Sequence, residues 1–341
     1  MAATVYDVAR VAEVSIKTVS RVMNNYRSVS EKTRQKVLQA MVELDYHPNA
    51  SARALALNST RTVALCVSYS SDYVFSNPYF SEVFRGINHM CNEFGYRLLF
   101  EARSDADYLQ IPKSGLADGL LLMCLRVEEN SLEQLVKLKF PFVMLSNFPS
   151  QLDIPHVSSD AEHGSYMITK HLLQLGHRAV GFIGGPRQYY SNTKRFRGFE
   201  AAMKEYGLPL NQDWLTFVDS IPDERQGYQA MHRLLTNITL PTAVVAFNDL
   251  VAMGGLKALQ EKRIRVPEEM AVVGFDDITT SPHTNPPLTT VREPCFDKGA
   301  VATKMLIKII EGKELEQTQV QFKTQLVVRA SCGAKHAESP R

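Results

Sequence analysis

The chain has 341 residues, of which 45% are hydrophobic and 22% charged, and its formal net charge is +2. That length suits about two or three domains of ordinary globular composition. No apolar run reaches the roughly 18 residues that a membrane span needs, and no signal region opens the chain. Cys66, Cys91, Cys124, Cys295 and Cys332 are scattered and odd in number, without metal-ligand spacing. The expectation is a reduced, cytoplasmic chain without cofactor or metal, with Cys66, Cys91 and Cys124 packed as small buried thiols.

Charge is unevenly spread. Residues 1–60 hold eight Lys or Arg against five Asp or Glu, whereas the remainder is nearly balanced. The basic excess therefore falls on a small N-terminal module, where a polyanion would bind. There Thr4 is placed as a helix N-cap, with Asp7 in the capping-box position. Val5, Val8, Ala9 and Ala12 follow at helical spacing. Glu13 and Val14 turn the chain, and Ser15 caps a second helix from Ile16 to about Asn24. Val19 and Val22 face inward in that helix, leaving Lys17, Ser20, Arg21 and Asn24 outside. Two short helices joined by a tight turn, the second polar outside and apolar inside, describe a DNA-reading helix-turn-helix.

Ser30 and Glu31 start a third helix with Val37, Leu38, Met41, Val42 and Leu44 as its apolar stripe. Pro48 ends the segment, and Asn49 caps a further helix over residues 50–57. That helix is shorter than the roughly 12 residues needed for stability alone in water, so it needs a partner.

The runs YDVARVAEVSIKTVSRVMNN, VSEKTRQKV and YHPNASARALA resemble the lac/galactose repressor family of bacterial transcription factors, and the resemblance extends over nearly the whole chain. It implies a headpiece over residues 1–47, a hinge helix and linker over 48–60, and an effector-binding and dimerisation domain over 61–333. A polar tail, 334–341, follows. The fold class expected is α/β: an all-α helix-turn-helix headpiece with a hinge helix, then two doubly wound parallel-sheet lobes like those of periplasmic binding proteins.

The pattern after residue 61 agrees. Strands are predicted at Thr62 to Val67, Arg97 to Phe100, Gly119 to Met123, Pro141 to Leu145, Ala179 to Ile183, Ala243 to Phe247, Met270 to Phe275 and Gln325 to Arg329. A polar loop is predicted from Ser68 to Ser76. Helices are predicted from Asn77 to Gly95, Leu132 to Leu138, Ala161 to Leu175, Phe196 to Tyr206, Gly227 to Leu235, Asp249 to Lys262 and Asp297 to Ile310. Such alternation implies parallel sheets covered on both faces. By the resemblance, residues 61–157 with 289–320 form one lobe, and 158–288 with 321–333 the other. Between Phe100 and Leu116 the stretch is shorter than the family's usual helix and contains Pro112, so an irregular connection is expected there.

At DNA, Ile16, Lys17 and Arg21 match the family's specificity positions. A Lys or Arg donor suits guanine, and Ile16 suits a thymine methyl. Thr4, Tyr6, Ser15, Thr18, Ser20, Asn24, Ser30 and Thr33 bear short donors suited to phosphate oxygens. In the hinge, Asn49 caps, Ala52 allows two helices to approach, and Leu55 is by resemblance a wedge for the minor groove. One module reads half a site, so a homodimer on a near-palindromic duplex operator is implied.

For a small-molecule effector, the resemblance assigns Asn77, Tyr79, Phe80, Asp160, Arg195, Asn248 and Asp276. An acceptor-only Asp, a donor-only Arg and a two-way Asn can pair with vicinal hydroxyls, and an aromatic ring covers a sugar's apolar face. Tyr189, Tyr190 and Ser191 make an aromatic loop near Arg195. A sugar or sugar phosphate is the effector class expected, with a nucleobase or nucleoside as the alternative. An enzyme is disfavoured: the run Gly181 to Pro186 lacks the GxGxxG order, and neither a P-loop nor a nucleophile elbow is present. A solute-binding module without DNA binding would not carry residues 4–57.

Overall fold

A computed structural model describes residues 3–23, 28–47, 59–102, 108–123, 129–146 and 152–334. The hinge helix expected at 50–57, with Asn49, Ala52 and Leu55, lies outside the described residues, as do Asn24, Cys124 and residues 335–341. The chain divides into two compact units, Met1–Thr60 and Arg61–Arg341.

The first unit is helical. α1, Val5–Val11, opens on a capping box: Asp7 N donates to Thr4 Oγ1 at 3.4 Å, and Thr4 N donates to Asp7 Oδ2 at 3.0 Å. Those two bonds satisfy amides that the first turn leaves without helical partners. Glu13 adopts φ 53° in the turn. α2 is Ile16–Met23 and α3 is Glu31–Glu43. Val8, Ala9, Ala12, Val19, Val22, Val37 and Ala40 form their shared core. Two members of the predicted α3 stripe face outward instead: Leu38 is 42% and Val42 82% exposed. Ala40 takes the inward place, because Val37 and Ala40 are separated by three residues and share one face.

The second unit contains two parallel sheets. In the first, β1 (Thr62–Val67) lies between β2 (Arg97–Ala102) and β3 (Gly119–Met123). β4 (Phe142–Met144), β5 (His156–Ser159) and β11 (Gln319–Phe322) extend it in the order β11-β5-β4-β3-β1-β2. The side-chain period of two sends residues alternately to its two faces. Val63, Leu65, Val67, Leu121, Met123 and Val143 join one core, whereas Ala64, Cys66, Leu120, Leu122, Phe142 and Met144 join the other. The second sheet has the order β7-β6-β8-β9, with β6 Val180–Gly184, β7 Leu215–Phe217, β8 Ala243–Ala246 and β9 Ala271–Val273. It too divides its residues between two cores. β10 (Thr290–Arg292) and β12 (Gln325–Val327) pair antiparallel.

Helices cover these sheets. α4 is Ser71–Ser76, α5 Pro78–Glu93, α6 Gln110–Ser114, α7 Glu129–Lys137, α8 Ala161–Gln174 and α9 Tyr190–Glu205. α10 is Glu224–Leu234, α11 Asp249–Glu261 and α12 Cys295–Ile310. α12 follows β10 and packs on α5 of the first lobe, and β11 then joins β5, so the chain crosses back. The crossing of α5 and α12 is tight: a Cβ on Gly299 would lie 2.3 Å from Val83 O, and one on Gly86 2.0 Å from Phe296 O.

Several predicted boundaries differ. α4 occupies part of the expected loop, because Ser70 caps it and Tyr73 and Val74 bury. α9 begins at Tyr190, ahead of the apolar run that marks it in sequence. β5, β7, β10 and β11 carry three or four residues each, too few and too polar to show a strand period. The irregular connection expected after Phe100 ends in α6, a five-residue helix containing Pro112.

Candidate functional site

In the first unit, Ile16, Lys17, Ser20 and Arg21 are exposed on α2, and Val19 and Val22 are buried opposite. At 3.6 residues per turn, those four positions cover an arc of about 140°. Tyr6 is 68% exposed. Several hydroxyls are committed to caps. Thr4 Oγ1 donates to Asp7 Oδ2 at 2.7 Å. Ser15 Oγ accepts from Thr18 N at 3.1 Å and lies 2.9 Å from Thr18 Oγ1. Ser30 Oγ accepts from Thr33 N at 3.2 Å and lies 2.8 Å from Thr33 Oγ1.

In the second unit, a cavity of about 110 Å³ lies at the carboxyl ends of the strands of both sheets. This is where ligands bind in open parallel sheets. Met123, Leu145 and Ser159 reach it from the first sheet, and Phe247 and Asp276 from the second. Of the seven expected effector residues, Asn77, Tyr79, Phe80, Arg195, Asn248 and Asp276 line it. Asp160 does not: its carboxylate caps α8, accepting from His163 N at 3.1 Å.

Arg195 is the centre of the polar wall. Its Nη1 donates to Phe247 O at 2.5 Å and its Nη2 to Asp276 Oδ1 at 2.9 Å, with Glu293 Oε1 at 3.5 Å. Its guanidinium lies 3.8 Å from the Phe275 ring centroid and 4.6 Å from that of Phe247. Burial opposes the charge on Arg195, and Asp276 and Glu293 outweigh it. Burial raises the Asp276 carboxyl, the Arg195 guanidinium at 2.9 Å opposes that rise and favours the ionised form, and Glu293 adds to it. Asp276 itself holds φ 109°, a strained backbone for any residue but glycine.

The two asparagines are committed within the protein. Asn77 Oδ1 accepts from Tyr79 N at 3.0 Å, and its Nδ2 donates to Tyr73 OH at 3.1 Å. Asn248 Oδ1 accepts from Val251 N at 2.9 Å, and its Nδ2 donates to Pro222 O at 3.2 Å. Both therefore act as helix caps and leave little capacity for a ligand. Unused capacity sits elsewhere: among the described residues, Arg195 Nε and Ser146 Oγ are buried without a hydrogen-bond partner. An aromatic wall completes the cavity. Phe80 makes edge contacts with Tyr69 at 5.4 Å, Tyr73 at 5.7 Å and Tyr79 at 5.5 Å. Tyr189 meets Tyr69 edge-on at 6.3 Å.

The family model for bacterial regulatory proteins of the lacI family matches residues 4–49, and that for the periplasmic binding protein-like domain matches residues 169–332. The HTH-type transcriptional repressor PurR of Photobacterium profundum is 33% identical over 335 residues, covering 96% of this chain and 98% of the relative. The chain belongs to the lacI family of bacterial regulatory proteins. It is a DNA-binding transcriptional repressor in a family of regulators rather than enzymes.

Solved structures agree. A lac repressor dimer bound to operator and the anti-inducer ONPF aligns with a TM-score of 0.86 at 25% identity, covering 98% of this chain and all of that one. A complex of the transcriptional regulator CelR with cellobiose aligns with a TM-score of 0.74 at 30% identity, covering 96% and 99%.

Within this lacI-family chain, sequence reading missed Tyr69, Tyr73, Ser146, Ser159, Glu293 and Lys298 in the cavity wall. Lys298 Nζ donates to Glu293 Oε2 at 2.6 Å and to Tyr79 OH at 3.0 Å, and Ser159 Oγ donates to Glu293 Oε2 at 3.2 Å. Burial tends to protonate Glu293, but Lys298 and Arg195 prevail and hold its carboxyl below the usual range. In sequence Glu293 precedes Pro294 and Lys298 stands four residues after it, and no local pattern marks either as buried. Among the described residues, no group of three His, Cys, Asp or Glu could hold a metal ion, and no helix is long and apolar enough to cross a membrane.

Proposed function

We propose that this repressor binds a near-palindromic operator as a homodimer and answers to a sugar-like effector held in the cleft. The Arg195–Asp276 pair beside an aromatic wall carries the effector reading. Such a pair offers fixed donors and acceptors to vicinal hydroxyls, and the rings cover an apolar sugar face. The cellobiose complex of CelR supports this class. The lac repressor dimer on its operator supports the assembly.

At DNA, Lys17, Arg21 and Ile16 read base edges, and Tyr6 and Ser20 meet phosphates. Thr4, Ser15, Thr18, Ser30 and Thr33 reach phosphates only from hydroxyls already engaged in caps. Asn24, Asn49, Ala52 and Leu55 complete the contact set, Leu55 as a minor-groove wedge. Effector binding shifts the two lobes and thereby the segment 48–60, with a coupling of roughly 1–3 kcal/mol. Operator must then change effector affinity by the same factor.

The test is a thermal-shift screen of sugars and nucleobases on wild type and Asp276→Ala, followed by titration of each hit with and without operator. A stabilising sugar whose effect disappears in the variant and whose affinity changes with operator is the expected result. Equal affinity with and without operator would sink the coupling. A nucleobase effector is the second reading, favoured by the rings of Tyr69, Tyr73, Phe80 and Phe247 around one cavity. A nucleobase hit in the same screen would replace the sugar.

A further inference from the structure

We infer that the cleft selects an uncharged, hydroxyl-bearing effector, that it rejects phosphorylated or acidic counterparts, and that Glu293 sets this choice. The inference rests on the reading of the cleft as the effector site.

Among the described residues, Arg195 and Lys298 are the only Lys or Arg side chains that line the cavity. Both are buried, at 7% and 4% exposure, and both already face carboxylates. Lys298 is held by Glu293 at 2.6 Å, with its charge also directed at Tyr79 OH. Arg195 gives Nη1 to a backbone carbonyl and Nη2 to Asp276 and Glu293. Each cation thus has a carboxylate of its own, and Glu293 is shared between them. Asp249, fully buried beyond Asp276, adds negative rather than positive charge to this region.

A phosphate or carboxylate entering this cleft finds both buried cations already neutralised, so to gain an ion pair of its own it must displace a carboxylate. It must then remain beside the displaced carboxylate, where like charges repel strongly because little water screens them. A hydroxyl makes no such demand. It can accept from Arg195 Nε and exchange a hydrogen bond with Ser146 Oγ, buried wall atoms without a partner among the described residues. Recognition of a neutral ligand therefore leaves the chain Asp276–Arg195–Glu293–Lys298 intact, whereas recognition of an anion breaks it.

Isothermal titration of the full-length chain with inorganic phosphate tests this directly. Wild type should show no saturable binding. Glu293→Gln, which releases Lys298 and one contact of Arg195, should acquire saturable phosphate binding at least about tenfold tighter than the wild-type detection limit, or roughly 1.4 kcal/mol. Asp276→Asn, which releases Arg195 alone, is the second variant should the first fail to fold, and it should gain phosphate binding too. Saturable phosphate binding by wild type that Lys298→Met abolishes would overturn the inference. So would folded variants as blind to phosphate as wild type.

A thermal-shift panel of neutral sugars, each paired with its phosphate ester, gives an independent arm. Hits confined to the neutral members support the inference, and an ester preferred over its parent overturns it. A panel without any hit counts against the effector reading itself, on which the phosphate titrations do not depend.

Discussion

Asp276 Oδ1 accepts a hydrogen bond from Arg195 Nη2 at 2.9 Å, although 81 positions separate the two residues in sequence. Both side chains are nearly excluded from solvent. The same guanidinium nitrogen also faces Glu293, but Glu293 keeps Lys298 at 2.6 Å, so removal of Arg195 strands the Asp276 carboxylate. Breaking a buried pair from one side typically costs about 3–5 kcal/mol. Arg195→Ala should lose stability on that scale in urea unfolding. Arg195→Lys should fall between, because an ammonium keeps the charge but not the planar fork. A loss under roughly 0.5 kcal/mol for the alanine variant would mean that the pair is energetically idle.

Lys17 and Arg21 stand one helical turn apart on the exposed face of α2. If each reads a base edge, alanine substitution should cost about 1–3 kcal/mol on the preferred site and much less on random duplex. The check is fluorescence anisotropy on a site selected from a random library, at several salt concentrations. A uniform loss on all sequences, with a shallower salt dependence, would reassign the residue to phosphate contact.

Gly299 sits where α12 crosses α5, and an added Cβ would lie 2.3 Å from Val83 O. The obstacle is backbone, so the helices must separate. Gly299→Ala should cost about 1–3 kcal/mol, the usual scale of overpacking. A shift in the urea midpoint at unchanged slope is the expected observation. An unchanged midpoint would show that the crossing yields without strain.

Asp249 gives a pH dependence with a definite sign. Burial pushes its carboxyl up to about 6, against hydrogen bonds from Ser281, Thr290 and the Ile278 amide. The folded state therefore holds this proton more tightly than the unfolded chain does. Its contribution to stability is fully present below the unfolded value of 3.8 and is lost as pH rises through about 6. Relative to Asp249→Asn, wild type should become less stable across that window, by at most roughly 1.4 kcal/mol per pH unit. Melting curves of both proteins from acid to neutral pH would show parallel trends if the residue does not titrate there.

Much of the fold is legible in the chain because local physics states it. Thr4 and Asp7 sit at capping-box spacing, and the box forms. The apolar run at Thr62–Val67 becomes a buried strand with its predicted bounds. The helix predicted from Asp249 to Lys262 forms over Asp249–Glu261, and Asn248 caps it. Short elements defeat such reading. His156–Ser159 has one apolar residue, and it is a strand only because Met144 and β11 hold it on either side.

The cleft divides in the same way. Tyr79, Phe80, Arg195 and Asp276, which the family resemblance assigns to the cleft, line the cavity at the strand ends. Lys298 and Tyr79 are 219 positions apart, and no local pattern relates them, yet α12 returns to α5 and brings them within 3.0 Å. The sequence by itself determined which of the longer segments are helix or strand and where charge is concentrated, because backbone propensity and hydrophobic period act over a few residues. Only the tertiary structure decided which charges are buried, which partner each one meets, and which polar atoms remain for a ligand. Those outcomes depend on how the chain crosses back between lobes, a long-range consequence of packing.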